Sequence, residues 1–203
     1  MWVDVEQNSE EWFEMRLGRV TGSKAATIMA NYGKAFGNPA VEYAQRLALE
    51  RVTGVKDSTD SLKSNYLDRG HELEPVARFE YERQTMNFVS NGGFFKGENI
   101  GDSPDGLVGT KGMVEIKSVI PNTQWKVIKS GKYPTSHKWQ IMWHLWISKR
   151  EWCDFISYCP EMNEGKQLFV DRVYPDLEMF KQIEYRLSEF ENEIQKNIKL
   201  LTI

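Results

Sequence analysis

The sequence predicts an α/β fold, a central mixed β-sheet flanked by helices. Three observations predict it. Helical apolar periodicity marks both ends of the chain. Short apolar runs bounded by Gly, Asn and Asp occupy the middle. The two kinds follow the order helices, strands, helices, two strands, helix. With 203 residues, 40% of them hydrophobic, the chain suits one domain, residues 1–203, with a sizeable core.

The elements can be justified in turn. Ser9 to Leu17 reads as a short helix with Trp12, Phe13 and Leu17 on its apolar side. Thr21-Gly22-Ser23 starts a second helix, Lys24 to Ala30, with Ser23 as its N-cap. Asn38-Pro39 opens a third, combining a capping side chain with proline in the first turn, and Gly54 ends it. Lys56 to Ser61 is polar and reads as a loop, and Leu62 to Gln84 as a helix that Pro75 starts or kinks. Asn91-Gly92-Gly93 between Phe88-Val89 and Phe94-Phe95 is a hairpin signal. A second hairpin is expected from Asp105 to Lys117. Short helices follow at Thr123–Lys129 and Thr135–Lys149, then strands at Trp152–Tyr158 and Leu168–Val173. Leu177, Phe180, Ile183, Leu187, Phe190, Ile194, Ile198 and Leu201 mark a long amphipathic C-terminal helix.

Bulk properties exclude several classes of function. A net charge of −3 argues against a uniformly basic nucleic-acid coat but leaves room for a local basic channel. Cys153 and Cys159 are too few for a four-thiolate cluster and read as reduced core residues, and no His/Cys set has zinc spacing. His71 and His144 read as structural. No apolar stretch is long enough to span a bilayer, so no membrane association is expected. Asp4, Glu6, Glu10 and Glu11 interrupt any signal-peptide pattern.

The chemistry concentrates in Ser103-Pro104-Asp105-Gly106 and Glu115-Ile116-Lys117. In an extended strand Glu115 and Lys117 share a face and Ile116 points to the other. If the intervening turn centres on Lys111, Asp105 lies opposite Lys117, one pair from Glu115. Two carboxylates and an ammonium then converge at a sheet edge. Carboxylate oxygens suit Mg²⁺, which also takes substrate phosphates, and a neighbouring lysine can orient or deprotonate a metal-bound water. Phosphodiester hydrolysis needs these parts. Asp-Gly is equally a turn dipeptide, and Glu-x-Lys occurs on exposed strands.

The Asp-x(9)-Glu-x-Lys pattern, with Pro before the Asp, resembles the PD-(D/E)xK nuclease superfamily. Three further blocks, in family order, make the chain similar to phage lambda-type exonucleases, the YqaJ-type viral recombinases. They are Trp12 to Ser23, with Arg16, Gly18 and Thr21-Gly22-Ser23; Gly70-His71-Glu72-Leu73-Glu74; and His137-Lys138-Trp139-Gln140, in which His137 stands where the family often has Tyr.

The resemblance implies a restriction-endonuclease-like core and a Mg²⁺-dependent 5′→3′ exonuclease acting on linear double-stranded DNA. It implies two ions per active site, with Mn²⁺ as an alternative. It further implies a homotrimeric ring, a single-strand annealing protein as partner, and work in the cytoplasm of a bacterial host. Residue by residue, Asp105, Glu115 and the Ile116 carbonyl would bind metal. Lys117 would position or activate the attacking water, and Glu74 would support the site. Arg16, Ser23, Ser103 and Gln140 match positions that hold the 5′-phosphate.

Bland readings stand beside these. Ser23 can simply cap a helix, Arg16 can lie along the surface, and Glu74 can be a solvated helix acid. The Trp139, Trp143 and Trp146 stripe reads as core or interface before a DNA platform. Lys126, Lys129, Lys132 and Lys138 read either as a phosphate-tracking surface or as a solvated face. An endonuclease of DNA repair or restriction on the same fold is the rival enzyme, and a non-catalytic DNA-binding subunit the rival class.

Overall fold

The computed structural model describes residues 1–56 and 65–202, with the backbone alone at 65–68. The expected loop from residue 57 on and the expected helix start at Leu62 lie outside the described residues. In chain order the elements are β1 (Trp2–Val3), α1 (Glu10–Arg16), β2 (Val20–Thr21), α2 (Ala25–Met29), α3 (Asn38–Thr53), α4 (Asn65–Thr85), β3 (Val89–Ser90), β4 (Phe94–Lys96) and β5 (Ile100–Asp102). They continue with β6 (Gly106–Val108), β7 (Gly112–Ser118), α5 (Pro121–Ser130), α6 (Lys138–Ser148), β8 (Trp152–Tyr158), β9 (Leu168–Val173) and α7 (Leu177–Thr202). The α/β class holds, but the strands divide into two mixed sheets, ordered β1-β4-β5-β2 and β3-β6-β7-β8-β9.

The larger sheet separates two apolar layers, as strand alternation requires. Met113 and Phe155 face the main core with residues of α2, α3, α6 and α7. Val114, Ile116 and Ile156 face the other side, against Ala77 and Tyr81 of α4. The parallel β7–β8 pair is reached through α5 and α6, the crossover that parallel strands need. Tyr81 donates to the buried Asp154 at 2.6 Å, and Arg172 grips the same carboxylate at 2.7 and 2.8 Å. This ties α4 to β8 and β9.

Four local expectations are corrected. Asn91-Gly92-Gly93 is not a hairpin turn, because β3 pairs with β6 and β4 with β1 and β5. The glycines there solve a crossing problem: a Cβ on Gly92 would sit 1.8 Å from the Pro104 carbonyl oxygen. The β6–β7 turn centres on Thr110, not Lys111, since Val108 pairs with Gly112 and Gly106 with Val114. Gly109, at φ +52°, supplies the left-handed residue of this three-residue turn. Ser23 is no N-cap; it lies inside a 3₁₀ turn, Gly22–Lys24, that precedes α2. At α3 the cap position is Gly37 and the Asn38 side chain makes no capping bond, while Gly54 ends the helix in the left-handed conformation as expected.

Candidate active site

The chain leaves the smaller sheet at Asp102 and enters the larger one at Gly106, so Ser103-Pro104-Asp105 forms the corner between them. The corrected register carries Asp105 to the level of Glu115. Its Oδ2 accepts the Ile116 backbone N–H at 2.6 Å. Arg78 of α4 donates to the Asp105 backbone carbonyl, also at 2.6 Å. Glu115 is fully buried, and its Oε1 lies against the Lys117 ammonium, as their shared strand face predicts. That oxygen has no other polar partner among the described residues. Glu74 approaches from α4 and is paired with Arg78 at 3.6 Å.

His144 is buried, as a structural histidine should be, yet it also reaches the site. Its Nδ1 meets Asp102 Oδ2 at 2.6 Å and its Nε2 meets Glu115 Oε2 at 2.8 Å. Sequence reasoning missed Asp102 and this link. The only signal was His144 in the aromatic helix, which carries no spacing rule. Gly22 packs onto the cluster so closely that a Cβ would fall 2.3 Å from Asp102 Oδ1.

The electrostatics are those of crowded carboxylates. Burial and the Glu115 charge push the Asp105 carboxyl up to about 8, against the pull of Lys117. Burial also raises Glu74, with Arg78 opposing and Glu115 adding to the rise. Burial works to raise Glu115 too, but Lys117 and His144 outweigh it and hold that carboxyl at about 2. Burial opposes the charge on Lys117, yet Glu115 and Asp105 keep the ammonium well above its ordinary range. His144 is raised to about 10, its burial outweighed by Asp102 and Glu115. His137 stacks on Phe155 at 5.4 Å and is lowered by burial and by Lys117.

Among the described residues no three acidic, His or Cys side chains form a ready-made metal cage. The donor set nevertheless fits a hard divalent cation. It consists of carboxylate oxygens, burial and the Glu115 charge raise both Asp105 and Glu74 so that a cation there would relieve them, and Glu115 Oε1 has only an ammonium to meet.

A second cluster lies beside the first. Arg16 stacks over Trp12 at 4.2 Å and donates to Thr21 Oγ1 and Ser23 Oγ, each at 3.3 Å. Arg16, Thr21, Tyr43 and Arg46 border a cavity of about 290 Å³. Glu74, Arg78 and Asp105 border another of about 350 Å³. Asn8 and His71 line both. Arg16 and Ser23 are thus brought together, one cavity away from Asp105.

Ser103 is placed differently. Its hydroxyl donates to the Gly93 carbonyl at 2.8 Å and accepts from Trp12 Nε1 at 2.9 Å and Gln7 Nε2 at 3.2 Å. A hydroxyl has one proton, so none remains for a phosphate. Gln140 lies one helical turn before His144 on α6 and makes no side-chain hydrogen bond among the described residues. Trp143 is core, and Trp139 and Trp146 pack against it, as the stripe suggested.

This fold, with its acidic corner, is the architecture of a nuclease. An alkaline exonuclease from Laribacter hongkongensis is 33% identical over 95% of this chain and 96% of its own, with a TM-score of 0.85. The same enzyme in complex with dAMP matches equally well. The chain belongs to the YqaJ-like viral recombinase domain family, whose profile matches residues 11–151. A phage-related exonuclease from Haemophilus somnus, 13% identical over 91% of this chain and 96% of its own, has a TM-score of 0.70 and shows the shared fold alone. A comparison with curated protein sequences gave no match. No helix among the described residues is long and apolar enough to cross a membrane.

Proposed function

We propose that the chain is a divalent-metal-dependent 5′→3′ exonuclease that degrades one strand of linear double-stranded DNA from 5′-phosphorylated ends. The observation that carries this reading is the adjacency of the two clusters: Asp105, Glu115 and Lys117 on one side, Arg16 with two hydroxyls on the other, and a shared wall of Asn8 and His71. The relative bound to dAMP supports it, since a deoxynucleoside monophosphate is what such a reaction releases.

Asp105, Glu115 and the Ile116 carbonyl would hold Mg²⁺, or Mn²⁺ in its place, with two ions per site. The bound metal would supply Lewis-acid polarisation of the phosphate and acidify a bound water. The remaining work falls to the protein. The Ile116 N–H fixes the Asp105 carboxylate, and His144 fixes Glu115 from behind. Lys117, held against Glu115, would position or activate the attacking water and stabilise charge on the phosphate. Glu74 adds a third carboxylate from α4.

The planar fork of Arg16 matches a terminal phosphate bidentately, with the Thr21 and Ser23 hydroxyls beside it. Gln140, on α6, would add a further donor to that phosphate. Ser103 contributes by holding the corner. Each cut would leave a new 5′-phosphate for the same pocket. A homotrimeric ring would retain the enzyme on the duplex, and a single-strand annealing protein would take the exposed strand for phage-type recombination in a bacterial cytoplasm.

The test is digestion of linear duplex with 5′-phosphoryl or 5′-hydroxyl ends, alongside closed circular DNA and a Lys117→Ala control. Rapid loss of one strand from phosphorylated ends, intact circles and an inert variant are expected. Cut circles would move the reading to an endonuclease. No cleavage by the native chain would leave a binding subunit.

A further inference from the structure

From Ile116 to Arg150 the chain has no Asp or Glu, yet it carries Lys117, Lys126, Lys129, Lys132, Lys138, Lys149 and Arg150. The net charge of the whole chain is −3, so the rest of the molecule is acidic and this segment is its basic stretch. Lys117 is spent on Glu115. Lys126, Lys129 and Lys132 lie in and just after α5, the helix that leaves the β7 end only three residues past Lys117's neighbour Ser118, at Pro121, whereas Arg150 donates to the Gly109 and Gly112 carbonyls at the opposite end of β7.

The two sides of α5 differ sharply. Gln124 and Val127 are buried. Gln124 is clamped to the sheet: Ser157 Oγ donates to its Oε1 at 2.6 Å, and its Nε2 points among the carbonyls of Ser157, Lys166 and Gln167 at 3.0–3.3 Å. The outer stripe, at spacings of three and four, is Asn122, Trp125, Lys126 and Lys129. Trp125 is 52% exposed, and the Lys129 ammonium lies 4.8 Å from its ring centroid. The buried inner face therefore anchors a half-exposed indole that has the Lys129 ammonium over one side of its ring.

We propose that this face of α5 binds single-stranded DNA, with Trp125 stacking on an unpaired base and Lys126, Lys129 and Lys132 tracking its phosphates. An indole face and flanking cations are the chemistry of sequence-independent strand binding. A duplex hides its base faces, so the indole selects the single strand. The proposal rests on the chain acting on DNA and deepens that reading by assigning a contact for unpaired DNA beside the cutting site.

The test measures anisotropy of a labelled oligo(dT) with the full chain in EDTA, where no cutting interferes. Trp125→Ala should weaken binding roughly 5- to 100-fold, the loss of one base stack. Trp125→Phe should restore most of it. Lys129→Gln should flatten the salt dependence by about one phosphate contact. No binding by the native chain, or affinity unchanged in Trp125→Ala, overturns the proposal. So does a loss of self-association in sedimentation with strand binding intact, which would make the face a contact between copies. Strand binding that depends on Trp125 without duplex digestion would sink the exonuclease reading and keep this one. Digestion with Trp125-independent binding would do the reverse.

Discussion

Replacing His144 with alanine should cost more stability than any other single change at the site. The imidazole lies between two carboxylates, Asp102 at 2.6 Å and Glu115 at 2.8 Å, and all three side chains are buried. Its removal strands Asp102 without its counter-ion and leaves Glu115 only Lys117. Breaking a buried ion pair by deleting one partner costs about 3–5 kcal/mol. For a chain of this size each kcal/mol moves the melting temperature by roughly 2–4 °C, so a drop of about 6–20 °C is expected. The pH dependence follows from the direction of the shift. His144 is raised from 6.5 to about 10 in the folded protein. Its contribution is therefore complete below about pH 6.5 and is lost as pH rises through about 10. Urea unfolding of native and variant protein in EDTA, at pH 6, 8 and 10, measures this. A deficit below about 1 kcal/mol at pH 6, or one equally large at pH 10, would refute the reasoning. A double-mutant cycle with Asp102→Asn should show strong coupling, because the second change removes a charge already stranded.

Three other outcomes are expected. Metal must displace the proton that burial and the Glu115 charge hold on Asp105 up to about pH 8, so calorimetric affinity for Mg²⁺ should climb with pH below that value and level off above it, while Asp105→Asn should bind weakly with little pH dependence. Arg16→Ala should abolish the preference for 5′-phosphoryl over 5′-hydroxyl ends, by roughly ten- to hundredfold, with digestion rates on the two ends as the readout. Gly92→Ala must push against the Pro104 carbonyl and should destabilise by more than about 2 kcal/mol in thermal melts, since backbone cannot swing away as a side chain can.

Strong local rules made most of the fold legible. Trp152–Tyr158 and Leu168–Val173 are strands with the expected limits, because runs rich in aromatic and β-branched residues between polar borders leave little choice. The C-terminal helix also follows its periodicity, but one buried position escapes it. Arg186 is almost wholly covered, and its guanidinium donates to the carbonyls of Ile28, Ala30 and Lys34. A charged residue among apolar partners reads as surface until the carbonyls it serves are known. The two-residue strands β1 and β2, and the pairing of β3, were illegible for another reason: nothing within so short a run fixes pairing, and their partners lie far along the chain. The same holds for the site. Asp105, Glu115 and Lys117 announce themselves by spacing. Asp102 and His144, 42 residues apart, are brought together only by the packing of α6 against β5.

That packing explains why a single short corner matters so much. Asp102 is tied to His144, Ser103 to Trp12, Gln7 and Gly93, and Asp105 to Ile116. Three of four successive residues thus reach α6, α1 with the loop ahead of it, and β7. Ser103 is best understood within this set: its hydroxyl is saturated by Trp12, the same ring on which Arg16 stacks. Anything that moves Trp12 therefore acts on the Arg16 cluster and on the Asp105 corner together. A phosphate seated at Arg16 would press on the element that positions the carboxylates, and the two clusters would respond as one unit. The spacing between the Arg16 cluster and the Asp105 corner is then set by hydrogen bonds at the seam of two sheets, where a small displacement would be felt at both ends.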